Sequence, residues 1–359
     1  MCKRLQHSEN VISVDLDKPD VASIFDLFTS IELIPLETSP EVLIAGIRKI
    51  ITHGDRFYTL DPVQSIIFVF DHSGKFIFKI DRKGRGPGEY VSITDFSINP
   101  YSSNLELLQA NGFVHVFDLS GNFIETKNIN YTDFRAVHMI ASTNDNTHVF
   151  YAQFQPKKII YYDLDDKKLL YEEFEEDWRL GSYGVRSFFK YSDDWYFFRP
   201  IHPVVYKIGK ERLEAAYQFD FGKYTKDGIT AIFSEEVDNN RSKLVEEVFA
   251  QFPYVITTVR HNNKYVFATL LWKDPNNKGN VIYNKSTGVA QFILDFVEQV
   301  EFNPDNIVTD EYILVSCQWV NLEKLIKREM LDDKNKETFD KLMMSEIELN
   351  PVFIKYHFK

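Results

Sequence analysis

The strongest constraint on the fold is a segment that returns. FVFDHSGKF (68–76) reappears 47 residues later as HVFDLSGNF (115–123), with Phe70, Asp71, Gly74 and Phe76 matched by Phe117, Asp118, Gly121 and Phe123. Each copy alternates apolar residues, breaks at a tight Asp-x-x-Gly turn and resumes as a second strand, which is a β-hairpin pattern. Weaker copies follow around Tyr162, Tyr206, Tyr283 and Ile354, so the successive steps are 47, 45, 44, 77 and 71 residues. A period of about 45 residues is that of a four-stranded propeller blade. Two further strands precede each hairpin, as in GIRKIITHGDRFYTLD and YVITTVRHNNKYVFATLLW.

These repeats predict an all-β protein, a six-bladed β-propeller with four-stranded antiparallel blades and two helical insertions, spanning 30–359 behind a tether and lead-in at 1–29. The last hairpin stops after one strand at Lys359. An open blade would leave an unpaired edge, so the apolar run SIELIPLE (30–37) is expected to pair beside 352–358 and close the ring. The two long steps hold the insertions, at about 231–252 and 320–347. In the first, Phe233, Val237, Leu244, Val245, Val248 and Phe249 recur at helical spacing. In the second, Leu322, Leu325, Ile326, Phe339, Leu342 and Met343 do so.

Acidic residues outnumber basic ones, 53 to 41, for a formal charge of −12. That balance argues against a phosphate-backbone partner, so no nucleic acid is expected. No run approaches the roughly 18 apolar residues of a membrane helix. The two cysteines, Cys2 and Cys317, cannot make a disulfide framework. Cys317 lies in an apolar run and suits a buried thiol. Cys2, followed by KRLQHSEN, is either the lipid-bearing first cysteine of a processed bacterial lipoprotein or an incidental residue in a frayed terminus.

IDRKGRGPGEY (80–90), directly after the first hairpin, resembles the ending of an NHL-type blade. Together with IPLET near the start and NPVFIKYHF at the end, it resembles the six-bladed propeller lipoproteins of Gram-negative gut anaerobes, over about 12–359. The resemblance implies a six-bladed ring, export to the periplasm or outer membrane, and a lipid anchor at Cys2 as the only membrane attachment. It carries no catalytic residues to transfer.

The residues themselves bear on three kinds of chemistry. GRGPGEY is Gly-rich and basic, but a phosphate loop needs a following helix. Here the glycines stand between strands, and Gly84, Gly86 and Gly88 with Pro87 suit a tight crossing between blades. A metal in the central channel needs carboxylate, Asn or His side chains converging from several inner strands. The inner strands offer His53, Asp95, His138, Arg260 and Asp310, with no position shared from blade to blade. No nucleophile motif appears and no cofactor is expected.

Strand alternation places the crossings between blades and the second-to-third-strand loops on one face. GRGPGEY, both insertions and several long loops are expected there. They bring Trp178, Arg179, Tyr183, Arg186, Arg199, His202, Trp272 and Lys273, with Trp319 at the base of the second insertion. Exposed Trp and Tyr beside Arg are typical anchors for glycan, peptide or protein ligands; the alternative is that each ring packs under its own loop. The expected function is a non-catalytic, extracytoplasmic binding or scaffold protein using that face. The competing expectation is a propeller hydrolase or lyase with a channel metal.

Overall fold

The computed structural model describes residues 10–129, 136–143, 145–152, 155, 157–175, 187–225 and 241–359. The chain opens with β1 (Val11–Ser13), β2 (Asp20–Ala22) and β3 (Phe28–Pro35). Blade 1 follows as β4 (Lys49–His53), β5 (Arg56–Asp61), β6 (Ile66–Asp71) and β7 (Phe76–Ile80), and blade 2 as β8 (Asp95–Ile98), β9 (Leu105–Leu108), β10 (Phe113–Phe117) and β11 (Phe123–Asn128). Blade 3 is β12 (Met139–Ser142), β13 (His148–Tyr151), β14 (Lys157–Asp163) and β15 (Lys168–Glu175). Blade 4 is β16 (Phe188–Tyr191), β17 (Asp194–Phe197), β18 (Val204–Ile208) and β19 (Leu213–Asp220), followed by helix α1 (Arg241–Gln251). Blade 5 is β20 (Tyr254–His261), β21 (Tyr265–Trp272), β22 (Lys278–Asn284) and β23 (Val289–Phe296). Blade 6 contains β24 (Ile307–Val308), β25 (Tyr312–Cys317), helices α2 (Leu322–Leu325) and α3 (Asp333–Met343), and β26 (Val352–Phe358). The six sheets make a six-bladed β-propeller of four-stranded antiparallel blades.

The repeated motif explains itself at the turn. Asp71 Oδ1 accepts the amides of Ser73 and Lys75 at 2.8 and 3.0 Å. Asp118 Oδ1 accepts those of Ser120 and Asn122 at 2.8 and 2.9 Å. Gly74 and Gly121 follow at φ 86° and 85°, the left-handed region where glycine avoids a steric penalty. The Gly74 and Gly121 amides donate to the Asp71 and Asp118 carbonyls at 3.0 Å, and the Asp71 and Asp118 amides donate to the Lys75 and Asn122 carbonyls at 2.9 Å, so each turn is a side-chain-capped bend ending in a glycine bulge.

The chain divides into two compact units. One comprises 28–182, 210–212 and 312–359; the other comprises 1–27, 183–209 and 213–311. In the first, blades 1 and 2 enclose Tyr58, Leu60, Val69, Ile93, Phe96 and Phe117. Blades 2 and 3 enclose Leu108, Val114, Ile140, Phe150 and Ile160. Polar links cross the same seams. Lys49 Nζ donates to Asp95 Oδ1 at 2.9 Å, and Asp95 Oδ2 accepts the Ile140 amide at 2.9 Å. Deeper in, Glu106 accepts from Asn99 Nδ2 at 2.9 Å and Ser142 Oγ at 2.5 Å, with His148 Nε2 at 2.9 Å.

β3 pairs antiparallel with β26, from Val352 opposite Pro35 to Phe358 opposite Phe28. The strand lies two residues earlier than the apolar run 30–37 suggested. Asn350 brackets this junction. It donates to the carbonyls of Glu37 and Val42 at 2.7 and 2.6 Å and accepts the Ile44 amide at 2.8 Å.

The second insertion is not one helix. Asp332 caps α3 by accepting the Asn335 amide. Asn335 Oδ1 then accepts the Leu33 amide at 2.8 Å, which satisfies the free edge of β3. Phe339 and Leu342 are buried on the same helix. Its apolar face therefore covers the perimeter of blade 6, where the sequence had suggested a decoration of the ligand-facing end.

In the second unit, blades 4 and 5 pack through Phe189, Phe198, Phe219, Tyr254, Val266, Leu270 and Phe292. Within the stretch 1–29 expected as a tether, β1 adds in parallel to β19 and β2 in parallel to β23. Each is a fifth, outermost strand, and so shields an edge that would otherwise be open. The first insertion is described only from α1 onward, where Val248 is buried; 231–240 lie outside the described residues.

Candidate functional site

Four of the sequence-chosen ligand residues, Trp178, Arg179, Tyr183 and Arg186, lie outside the described residues, as does Cys2. Within the two-blade unit, Trp272 is 4% exposed. Its ring packs edge-on against Tyr224 and Phe292, at 5.2 and 5.9 Å, beneath the Lys273 ammonium at 4.7 Å. The lead-in segment closes over this corner, with Tyr224 Oη donating to Asp17 Oδ1 at 2.8 Å beside the Lys223–Asp17 ion pair at 2.6 Å. Those two partners hold the Asp17 carboxyl below its ordinary range. Trp272 thus packs under its own loop, while Lys273 is exposed. Arg199 and His202 are also buried, and Arg199 Nη1 donates to Ser187 Oγ at 3.2 Å. Trp195, the remaining tryptophan, is buried in β17.

The channel candidates are divided between the two units, with His53, Asp95 and His138 in one and Arg260 and Asp310 in the other. Asp95 is engaged between Lys49 and Ile140 as described above, and His53 is exposed at the end of β4. Arg260 donates to the carbonyls of Val259 and Asp305. Asp310 accepts from Tyr191 Oη and the Asn263 amide, both at 2.9 Å. Among the described residues, no group of three His, Cys, Asp or Glu side chains could hold a metal ion.

The four-blade unit offers a different constellation. Arg48, Thr94 and His138 each donate a backbone amide at 2.9 Å to the second strand of their own blade, to Leu60, Leu108 and Tyr151. They are therefore equivalent positions, one residue before the paired inner strands of blades 1, 2 and 3. Arg48 is exposed; its Nη1 reaches the Thr94 carbonyl at 3.2 Å. Among the described residues its guanidinium makes this single hydrogen bond and no ion pair. Burial holds the His138 imidazole below its ordinary pKa, and the Arg48 charge lowers it further.

The second insertion starts at the same end of the strands. Gln318 Nε2 donates to the Ala45 carbonyl at 3.4 Å, three residues before Arg48. Trp319 is partly exposed and Val320 is 62% exposed. A Cβ built at Gly46 would meet no atom within 4 Å, so space opens beside this segment.

The GRGPGEY crossing leaves β7 at this end too. Glu89 folds back on Gly84, and its Oε2 accepts the Gly86 amide at 2.8 Å. Of the three glycines only Gly88 has a left-handed φ; the other two make room for Glu89. Tyr90, buried, donates to the Ile80 carbonyl at 2.9 Å. Arg82, Lys83 and Arg85 are exposed and form no ion pair among the described residues. Free cations thus gather at one end of this unit, although the chain carries a net charge of −12.

Sequence reasoning placed Trp319 at this end and singled out His138, though as a metal candidate. It missed Arg48, which no motif marks. Aligning the hairpin repeats backwards by blade would have found it.

A family model described as "Domain of unknown function (DUF4934)" matches residues 9–357. No curated protein matches the sequence. Among solved structures, the chain is similar to a protein of Bacteroides fragilis NCTC 9343 described as a "Putative exported protein". The TM-score is 0.74 and the identity 17%, covering 98% of this chain and 100% of that one. A member of the DUF4221 family from Bacteroides vulgatus ATCC 8482 is similar with a TM-score of 0.54 and 12% identity, over 93% of this chain and 97% of that one. At such identities the likeness is one of fold.

Proposed function

The chain belongs to the DUF4934 family, and from that premise we propose that it is an exported, non-catalytic binding protein that engages a glycan or peptide at the crossing end of its four-blade unit. The observation that carries this reading is the meeting of the Trp319–Val320 step with the Ala45–Arg48 segment through Gln318. It puts a partly exposed tryptophan and an unpaired guanidinium at the same end of the unit, residue types found together at binding anchors. Lys273 is proposed as a contact of the two-blade unit. Trp272, Arg199 and His202, being buried, serve as supports.

Export is supported by the fold shared with the Bacteroides fragilis protein and by the description that protein carries. Lipid attachment at Cys2 is supported by the polar run that follows it and by the resemblance to propeller lipoproteins. No helix among the described residues is long and apolar enough to cross a membrane. Metabolic labelling with an alkyne fatty acid tests the anchor: the wild type takes up label and Cys2→Ser does not.

The binding role is tested by screening the purified chain against glycan and peptide libraries, repeated with Trp319→Ala. Loss of the hits in the variant supports the site. Hits that survive Trp319→Ala unchanged overturn it.

A further inference from the structure

We propose that the starts of the inner strands of blades 1 to 3 bind the carboxylate of an acidic sugar, with Arg48 as the guanidinium that reads it and His138 as the neighbouring imidazole. This rests on the binding role proposed above and names its ligand class.

Among the described residues Arg48 has no carboxylate partner. In an acidic chain an arginine normally finds a carboxylate, yet this one spends a single N–H on a carbonyl. The rest of its planar fork faces no protein acceptor among the described residues. A guanidinium fork matches a carboxylate in two parallel hydrogen bonds. Two carboxylates of the neighbouring strands are already engaged: Asp95 holds Lys49 and the Ile140 amide, and Asp61 accepts the amides of Ala45, Val63 and Gln64.

Charge at this end also favours an anion. Arg82, Lys83 and Arg85 stand without an ion pair among the described residues on the crossing from blade 1 to blade 2. Asp81 and Glu89 are the exposed acidic residues of that crossing, and Glu89 spends a carboxylate oxygen on the Gly86 amide. Such a field attracts anionic ligands and raises their local concentration.

The other half of the site suits a sugar ring. Trp319 is partly exposed and Val320 exposed, apolar surface of the kind on which a pyranose face packs, at the same end of the unit as the cation that would read its carboxylate. A Cβ at Gly46, two residues before Arg48, would meet nothing within 4 Å, so there is open space at that segment.

His138 gives the site a pH signature. Among the described residues, Arg48 from blade 1 is a charged group that bears on it, and the Lys49–Asp95 pair reaches the β12 backbone at Ile140. A carboxylate bound beside His138 opposes the Arg48 effect and favours the imidazolium. Binding therefore tightens as the pH falls through the His138 titration.

The test is isothermal titration of the full chain with trigalacturonate and with its methyl ester, which removes the charge and keeps the sugar. His138 is followed by proton NMR. Trigalacturonate is expected to bind and the ester to bind at least tenfold more weakly. Arg48→Ala should weaken the acid by about ten- to a hundredfold, Arg48→Lys by less, and His138→Gln should remove the pH dependence. Because Arg48 is exposed, unchanged melting curves will show that its variants fold.

Equal binding of acid and ester, or acid binding unaffected by Arg48→Ala, overturns the carboxylate assignment. If Trp319→Ala still abolishes both ligands, the binding role itself stands. A Glu-rich peptide that binds where trigalacturonate does not overturns the sugar.

Discussion

Phe78 of blade 1 lies against Gly121 of blade 2 so closely that a Cβ added to that glycine would come within 2.8 Å of the Phe78 ring. The same relation joins Gly74 of blade 1 to the Pro35 carbonyl of the closing strand. The turn glycine of the repeat is thus also the point where one blade touches the previous blade's outer strand. Gly121→Ala is expected to cost about 2–4 kcal/mol, combining a left-handed backbone penalty with overlap. Gly54→Ala, also at positive φ but with nothing within 4 Å, should cost about 1–2 kcal/mol. Urea denaturation of the two variants compares them directly.

Asn350 holds the approach to β26 against the segment that leaves the closing strand β3, through three hydrogen bonds to backbone groups of 37–44. It is 2% exposed, so Asn350→Ala leaves buried groups unsatisfied, at about 1–3 kcal/mol for each that water cannot reach. Thermal melting should show a drop in Tm larger than that of Asn335→Ala, which loses a single bond to the closing strand.

Glu106 and His148 form a buried pair across blades 2 and 3, with side chains 3% and 0% exposed. Burial alone would raise the Glu106 carboxyl. The His148 charge and the hydrogen bonds from His148, Ser142 and Asn99 outweigh it and hold the carboxyl below its ordinary range. Glu106→Ala should destabilise by about 3–5 kcal/mol, whereas the double replacement Glu106→Leu with His148→Leu should recover much of that loss. A double-mutant cycle in denaturant measures the coupling.

His261 gives the stability a defined pH dependence. Its ring sits among Phe189, Tyr191, Tyr196 and Tyr217, with centroids 4.3–5.6 Å away. Nδ1 is 2.9 Å from Tyr217 Oη. Burial, then the charges of Lys285 and Arg260, push its pKa down to about 3 from 6.5. The unfolded chain therefore takes up a proton below pH 6.5 that the folded chain refuses. Stability falls as the pH drops from about 6.5 towards 3, by up to about 5 kcal/mol. Glu106, with its lowered pKa, adds to the loss only below about 4.5. His261→Gln should flatten the slope between pH 6.5 and 4.5 in urea titrations; an unchanged slope would contradict this assignment.

The parts visible in the sequence were those written in local chemistry. Asp71 and Gly74, like Asp118 and Gly121, specify their turns by side-chain capping and a left-handed backbone, and neither needs the rest of the fold. Their spacing set the blade count and the phase of the strands. Elements governed by distant partners were not visible. The spacing of Phe339 and Leu342 shows that α3 buries a face, but only Asn335 meeting Leu33 shows that the face covers the rim of blade 6. Val11–Ser13 and Asp20–Ala22 are too short to carry a period, and their pairing is fixed by the edges they cover. Trp272 looked like an anchor because composition cannot show Tyr224 and Phe292 closing around it. Arg48 carries no motif at all; its meaning lies in standing where Thr94 and His138 stand on the next two blades.

Hydrogen–deuterium exchange of the full chain with and without trigalacturonate tests the binding end most directly. Added protection is expected at 45–48, 92–95, 136–140 and 318–320, with no change in the opposite loops of the same unit at 53–56 and 99–104. Protection confined to those opposite loops, or none at Arg48 and Trp319 at saturating ligand, would contradict the assignment of this end as the binding site.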